Sequence, residues 1–322
     1  FPSMNLNSSL GWPLKDLFPN GTKKKNVISL DPPEMEEKTL AFYNERNALR
    51  AEGVIPDGAF MDFPKDETLK PGKATRLING SCLDHFIDMR RYVWHFFVAM
   101  RNKTGICVGM NVHSSQWGET LLEVDNPIDE DYSNYGLTIH SQIIEAIRDL
   151  AIEWHKKYCS YTEKDLNVVY CLFEEVRSSV HVLSDLKYQV LCGSPSGAFG
   201  TDMINSLSNM YYNMYSHFKK FGNFNRWSEE KILVYGDDIR RNQIRSHDEF
   251  KSHLNEIGMV IDKDKNKKGA FLERYVNMYE FEEGEWIALA PLPPHVLVDM
   301  MHWIRKPYFS ETEAFDQRMN SF

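Results

Sequence analysis

Two adjacent aspartates, Asp237 and Asp238, follow Gly236 and the apolar run Ile232, Leu233 and Val234. The pattern predicts a strand, a tight turn and a returning strand, because glycine reaches backbone conformations that other residues resist. Two carboxylates about 4 Å apart repel each other by roughly 4 kcal/mol at an effective dielectric of about 20, so a divalent cation would stabilise them. A solvated turn explains these residues equally well when they are taken alone.

Two further segments could serve the same chemistry. A glycine-rich loop runs from Gly193 to Thr201 and leads into a predicted helix, and its Ser196 and Thr201, with Asn205, can hydrogen-bond a ribose hydroxyl. A flexible loop followed by a helix N-cap is the structural alternative. Asp131 precedes another predicted helix, where an isolated aspartate is usually a cap. The order of acid, loop and acidic turn is the one that nucleotidyl transfer requires.

Apolar spacing predicts the elements that carry these residues. Helices are expected over 142–158 and 202–219, and Ser246 with Glu249 forms a capping box for a third helix that ends at Gly258. The side chains expected on the buried faces are Ile143, Ile147, Leu150, Ala151, Trp154 and Tyr158 in the first helix, Met203, Ile204, Leu207, Met210, Tyr211, Met214, Tyr215 and Phe218 in the second, and Phe250, Leu254 and Ile257 in the third. Strands are expected at 186–191 and 231–235, with a hairpin of 271–276 and 285–290. The predicted fold class is α+β, a small antiparallel sheet backed by helices.

The composition constrains the class of protein. The net charge of -9 argues against a nucleic-acid partner, but the charges are segregated: residues 65–103 hold eight Lys and Arg against four acids, and residues 119–131 hold six acids and no base. Solvated surfaces would give the same pattern. The five cysteines form no CxxC pair, which predicts neither zinc nor disulfides and suits a reducing compartment. No signal peptide or membrane span is expected, and the start at Phe1 suggests a piece cut from something longer, such as a polyprotein.

Taken together, the motifs resemble those of viral RNA-dependent RNA polymerases of the picornavirus-like supergroup, nearest in style to dicistroviruses and iflaviruses. The resemblance covers nearly the whole chain. The matching segments are residues 8–13 (template entry), Lys65 with Lys73 and Arg76 (NTP channel), Asp131 (first palm motif), Ser196 and Gly197 with Thr201 and Asn205 (second), residues 235–238 (third), residues 271–274 (primer grip) and residues 286–303 (start of the thumb).

The resemblance implies a polymerase right hand. Its fingers would be 1–118 and 161–193, its palm 119–160 and 194–276, and a truncated thumb 277–322. The implied site residues are Asp131, Asp237 and Asp238 as ligands of two Mg²⁺ ions, with Mn²⁺ as a substitute; Lys267, favoured over Lys265, as general acid; Lys65, Lys73, Arg76, Ser196, Thr201 and Asn205 for the NTP; and Ser9, Gly11, Pro13, Gly197 and Arg274 for the RNA template and primer. Two such ions about 3.5–4 Å apart would activate the 3′-hydroxyl and hold the triphosphate.

Two positions depart from the family pattern. Gly136 stands where many picornavirus enzymes have a second aspartate that helps to select the ribose, so selection is expected to rest on Ser196, Thr201 and Asn205. Asp129 and Glu130 stand where the family has an apolar strand, so that strand is expected to be short or distorted.

The expected function is template-directed RNA synthesis during viral genome replication. Expected partners are the RNA template and primer, NTPs and other viral replication proteins, without direct membrane insertion, in replication complexes of the host cytoplasm. One alternative is a reverse transcriptase-like polymerase, although the ribose-reading loop favours RNA synthesis. Another is an impaired palm-fold fragment that binds RNA without catalysis, although all three aspartates and the basic motif are present.

Overall fold

The computed structural model describes residues 4–66, 72, 74–101, 105–261, 271–274, 276–282, 284–294 and 296. The α-helices are α1 (Glu37–Ala51), α2 (Leu83–Asp88), α3 (Trp94–Met100), α4 (Ser115–Leu122), α5 (Tyr135–Thr138), α6 (Ser141–Tyr158), α7 (Glu163–Arg177), α8 (Thr201–Phe221) and α9 (His247–Asn255). The strands are β1 (Ile28–Leu30), β2 (Pro33–Met35), β3 (Phe60–Pro64), β4 (Leu77–Gly80), β5 (Ile128–Glu130), β6 (Ser179–Leu183), β7 (Leu186–Val190), β8 (Ile232–Tyr235), β9 (Asp238–Arg241), β10 (Asn277–Glu282) and β11 (Glu285–Leu289). The chain divides into two compact units, Phe1–Phe63 with Leu77–Val108 and Asn134–Tyr215, and Pro64–Arg76 with Gly109–Ser133 and Ser216–Phe322.

The first unit contains a four-stranded mixed sheet. Its strand order is β4-β3-β6-β7, with β3 parallel to β6 and a hairpin between β6 and β7. Helix α7 packs against both α1 and α6. The fully buried Arg50 of α1 binds Asp84, Asp88 and Glu175, so every charge taken out of water there has an opposite partner.

The second unit contains a three-stranded antiparallel sheet of order β5-β9-β8 and the β10-β11 hairpin. Helix α4 packs on β11 at Gly118, where a Cβ would lie 2.2 Å from the Ala288 carbonyl oxygen. Helix α9 buries Phe250 and Leu254 completely. Its capping box at Ser246 and Glu249 is confirmed, and Gly258 follows with a φ of +79°.

The mixed α+β class is confirmed, and so are the helices α6, α8 and α9 and the strands β7, β8 and β11, whose ends lie within a few residues of the predicted ones. The strand predicted at 271–276 is wrong. Phe271–Glu273 forms a 3₁₀ turn with Leu272 in the left-handed region at φ +51°, and the partner of β11 is β10. Stacking of Phe271 on Trp117, with ring centroids 5.7 Å apart, draws this turn into the core.

The predicted buried faces need correction at several positions. Leu150, Tyr158 and Phe218 are exposed, whereas α8 buries a row of polar side chains. Two of the three serine hydroxyls in α8 donate to carbonyls of the preceding turn, Ser206 to Asp202 at 2.6 Å and Ser208 to Ile204 at 2.8 Å. All five cysteines are free. Within the described ranges, no helix combines the length and apolar character that a bilayer crossing needs.

Candidate active site

The acidic turn is a two-residue hairpin loop between β8 and β9. Tyr235 and Asp238 form the last pair of the ladder, which leaves Gly236 and Asp237 as the loop. Gly236 has a φ of +62°, and a positive φ at the first loop position suits a type II′ turn, whose twist matches the flanking strands. Asp237 is exposed and Asp238 half-buried, so the predicted turn does present its carboxylates.

Asp131 lies at the same end of this sheet. In the antiparallel ladder of β5 and β9, Glu130 pairs with Ile239. Extending that register by one residue sets Asp131 opposite Asp238. Asp131 is 7% exposed. The ladder register therefore brings Asp131 to the acidic turn, which follows it in the sequence by more than a hundred residues.

Ion pairs with arginines of β9 explain how β5 can bury two acidic side chains, Asp129 and Glu130. Asp129 pairs directly with Arg240, whose Nη1 lies 3.0 Å from its carboxylate. Glu130 accepts from Arg241 Nε at 2.7 Å and Nη2 at 2.9 Å, diagonally across the ladder on the opposite face. These pairs compensate the desolvation of both acids, and the prediction of a short strand is confirmed at three residues.

The donor set at this end of the sheet suits magnesium in chemical type. Magnesium takes carboxylate oxygens and completes its shell with water and substrate phosphate, so it needs few protein ligands. Among the residues that the structure describes, no group of three or more His, Cys, Asp or Glu side chains is placed to hold a metal ion. Metal bridging by Asp131, Asp237 and Asp238 therefore stays a prediction.

Hydrogen bonds join the two ends of the basic motif, which runs from Lys65 to Arg76 in the second unit. The Lys65 backbone N–H donates to the Arg76 carbonyl at 2.8 Å, and the Thr75 hydroxyl donates to the Lys65 carbonyl at 3.0 Å. Arg76 is exposed and Lys65 half-buried. The structure thus brings Lys65 and Arg76 together, whereas Lys73 lies outside the described residues, as do Lys265 and Lys267.

The glycine-rich loop in the first unit is held by its own side chains. The Thr201 hydroxyl donates to the carbonyls of Pro195 at 2.8 Å and Ala198 at 2.7 Å, so its hydrogen serves the loop. Asn205 Oδ1 is a buried acceptor that has no hydrogen-bond partner among the residues that the structure describes, so a donor of a bound ligand would satisfy it. Ser196 is exposed and hydrogen-bonds to Asn79.

Two of the residues assigned to RNA meet the same short segment, residues 79–82. A Cβ on Gly11 would lie 2.5 Å from the Ser81 carbonyl oxygen, and a Cβ on Gly197 would lie 2.1 Å from the Asn79 carbonyl oxygen. Both positions therefore require glycine because backbone packs directly on backbone. The template-entry motif and the glycine-rich loop, nearly two hundred positions apart in the sequence, are thus neighbours in the first unit.

The remaining RNA residues are placed differently. Ser9 is exposed and its Oγ accepts from the Gly11 N–H at 3.3 Å, and Pro13 is half-buried. Arg274 in the second unit is buried, and its Nη1 donates to the Ala290 carbonyl at 2.8 Å. Burial lowers the pKa of Arg274. Contact of these three side chains with RNA stays a prediction.

A cavity of about 470 Å³ lies in the first unit, and none of the predicted site residues lines it. Its walls come from Arg46, residues 55–60, Ser81, Cys82, His85, Glu174, Glu175, Arg177, Ser178, Val180 and Gln189.

Comparison with known proteins decides the family. The sequence profile of the viral RNA-dependent RNA polymerase family matches residues 1–321. The chain belongs to this polymerase family. It is 42% identical, over 99% of its length, to the genome polyprotein of Ectropis obliqua picorna-like virus, of which the match covers 11%. The polyprotein of Deformed wing virus is 28% identical over 75% of the chain, and that of Human rhinovirus A serotype 89 is 27% identical over 74%; the matches cover 9% and 10% of those proteins. The chain thus spans about a tenth of the length of these relatives.

Sequence reasoning about this polymerase-family chain missed the groups that support the motif residues. The pairing of Asp129 and Glu130 with Arg240 and Arg241 had a visible signal, two adjacent acids before Asp131 and two adjacent bases shortly after Asp238. Asn79, which bonds Ser196, had no such signal, because the two residues are far apart in sequence and neither is charged.

Proposed function

We propose that this chain catalyses template-directed RNA synthesis, transferring nucleotidyl groups from NTPs to an RNA 3′-hydroxyl during viral genome replication. Membership of the viral RNA-dependent RNA polymerase family supports this activity. The structural observation that carries it is the end of the three-stranded sheet, where the ladder register sets Asp131 opposite Asp238 beside a tight turn that exposes Asp237.

The chemistry divides among the chain's own residues. Asp131, Asp237 and Asp238 would hold magnesium, whose contribution when bound is to neutralise charge on the entering and leaving oxygens. Lys65 and Arg76 would bind the triphosphate, for which the planar guanidinium offers two parallel hydrogen bonds.

Other side chains would contact the ribose and protonate the leaving group. Ser196 and Asn205 would contact the ribose, and the Thr201 hydroxyl would keep their loop closed. Lys267, favoured over Lys265, would donate a proton to the leaving pyrophosphate. Base pairing with the template would supply sequence specificity.

The partners of this reaction are an RNA template and primer, NTPs and other viral replication proteins. We propose that it takes place in the host cytoplasm, within viral replication complexes. The eight Lys and Arg of residues 65–103 suit a polyanion, and the acidic segment 119–131 suits cations.

The test is primer extension on a homopolymeric RNA template with magnesium. We expect the wild-type chain to extend the primer and Asp237→Ala to lose extension while it keeps its unfolding midpoint, because Asp237 is exposed in a loop. Asp185→Ala is the matched control, since Asp185 is also an exposed aspartate in a two-residue hairpin loop but lies outside the motifs. Equal extension by the wild type and Asp237→Ala would contradict the assignment.

The same assay separates the alternatives. Faster incorporation of dNTPs than NTPs would indicate a reverse transcriptase-like enzyme. RNA binding without extension under any divalent metal would indicate a non-catalytic RNA-binding module.

A further inference from the structure

A series of hydrogen bonds in the first unit connects the buried Asp62 of β3 with the exposed loop residue Ser196. The Asp62 carboxylate accepts from Asn79 Nδ2 at 2.6 Å, from the Tyr188 hydroxyl at 2.5 Å and from His181 Nδ1 at 3.0 Å. An ionised carboxylate accepts hydrogen bonds and cannot donate them, so each of these contacts has one possible direction.

This directionality fixes the orientation of the Asn79 amide. Because Nδ2 must face Asp62, Oδ1 faces Ser196, where it accepts from the backbone N–H at 3.0 Å and lies 3.2 Å from Oγ. The Asn79 backbone N–H donates to Ser196 Oγ at 3.1 Å. The Ser196 hydroxyl therefore directs its hydrogen to Asn79 Oδ1 and accepts from the Asn79 N–H. Within the described part of the chain, this leaves one lone pair of the hydroxyl for a further donor.

The other partners of Asp62 hold it in place. Since His181 Nδ1 donates to Asp62, His181 Nε2 accepts from the Ser179 hydroxyl at 2.8 Å. The hydrogen bond to Asp62 raises the pKa of Tyr188 to about 12, so this donor stays protonated at neutral pH. Ser179 is 1% exposed, and the aligned serine, histidine and aspartate are therefore a support and not a nucleophile.

We propose that Asn79 is a specificity-determining positioning residue, which orients Ser196 so that the remaining lone pair of its hydroxyl accepts the 2′-hydroxyl of an incoming ribonucleotide. This inference rests on the proposed function. A 2′-deoxynucleotide offers no donor at that position, and a 2′-fluoronucleotide offers an acceptor in its place. Both should therefore be disfavoured as long as Asn79 fixes the Ser196 hydroxyl.

The experiment compares kcat/KM for NTP with that for the matching dNTP and 2′-fluoro-NTP in primer extension. It uses the wild type, Asn79→Ala, Ser196→Ala and the double variant. We expect Asn79→Ala to lower the NTP preference by about fivefold to tenfold, the effect of one hydrogen bond. We expect the double variant to have the same NTP preference as Ser196→Ala, because Asn79 acts on the ribose only through the Ser196 hydroxyl.

Ser81→Ala is the matched control. The Ser81 hydroxyl donates to the Gly197 carbonyl at 3.1 Å, so the variant loses a hydrogen bond to the same loop without touching the Ser196 hydroxyl. Its ribose preference should match that of the wild type. Equilibrium affinities for NTP and dNTP, measured without RNA, provide a second readout that does not depend on extension.

The outcomes are distinct. An unchanged ribose preference in folded Asn79→Ala, or additive effects of Asn79→Ala and Ser196→Ala, would overturn the inference. If Asn79→Ala does not fold, the double variant Asp62→Asn/Asn79→Asp, which exchanges the two side chains, decides. It should recover the preference for NTP over dNTP that Asn79→Asp alone loses. Failure to recover that preference counts against the inference. A wild type that prefers NTP in binding but extends no primer would contradict the proposed function and leave this inference supported.

Discussion

Replacing Arg241 by Met removes the guanidinium that pairs with Glu130 in β5, next to Asp131. Arg241 is fully buried, and besides its two bonds to Glu130 it donates from Nη1 to the Arg245 carbonyl at 2.5 Å. Met retains most of the apolar stem, so Arg241→Met tests the charge and its hydrogen bonds more than the packing.

The structure sets the expected size of the effect. After Arg241→Met, the buried Glu130 keeps a contact with His247 Nδ1 at 2.8 Å. Removing one partner of a buried ion pair costs about 3–5 kcal/mol, because the remaining charge is left in a low-dielectric environment. Glu130→Leu/Arg241→Met should be more stable than Arg241→Met, since it leaves neither charge buried.

The assay is urea unfolding followed by tryptophan fluorescence. Arg226→Met is the matched control, because Arg226 makes a similar two-bond contact with Glu229, with Nη2 to Oε2 at 2.7 Å, but both side chains are about half exposed. A surface pair of that kind contributes about 0–1 kcal/mol. If Arg241→Met lowers the free energy of unfolding by no more than Arg226→Met, or if the double variant is less stable than Arg241→Met, then compensation of the Glu130 charge does not support β5.

Three other predictions concern backbone space, ribose selection and pH. Gly197→Ala should destabilise the chain by about 1–3 kcal/mol in urea unfolding, because the new Cβ would overlap the Asn79 carbonyl oxygen. Gly136→Ala is the control and should change stability by less than about 0.5 kcal/mol, because a Cβ at that position makes only ordinary van der Waals contacts. Gly136→Asp should fold and raise the preference for NTP over dNTP in primer extension; an unchanged preference would contradict a ribose role for that position. Burial lowers the pKa of His155 to about 4, so wild-type stability should fall as pH drops from about 6.5 towards 4, where the unfolded chain binds the proton more tightly. In urea titrations His155→Phe should make this fall in stability smaller without abolishing it, because burial also lowers the pKa of His85 and of His253. Replacing the exposed His113 by Phe should leave the fall unchanged.

The parts of the fold that the sequence predicts are those that local rules decide. Helix α9 follows from its capping box and apolar spacing, and the β8-β9 hairpin follows from a glycine between an apolar run and two acids. The strand predicted at 271–276 fails because stacking of Phe271 on Trp117, which is distant in sequence, outweighs local strand propensity.

In the candidate active site, too, local patterns predict some features and tertiary contacts decide the others. The resemblance leads to the expectation that Asp131 lies near the acidic turn, and the register of β5 and β9 sets Asp131 opposite Asp238. The local pattern alone predicts the β8-β9 hairpin but not the pairing of β5 with β9, which joins residues more than a hundred positions apart. The partners of those motifs are set by tertiary contacts that leave no local trace, as for Asn79 beside Ser196. The buried polar face of α8 escaped prediction because hydrophobic periodicity carries no information about hydroxyls that bond their own helix.

The contact of Gly11 and Gly197 with residues 79–82 has an evolutionary consequence. Each glycine lies against a carbonyl oxygen of that segment, so a shift in the backbone of residues 79–82 would displace both the template-entry motif and the glycine-rich loop. A resistance or adaptation mutation at either glycine would therefore need a compensating movement that the other glycine also tolerates. Passaged virus populations should accordingly vary at side chains around this segment while both glycines stay fixed.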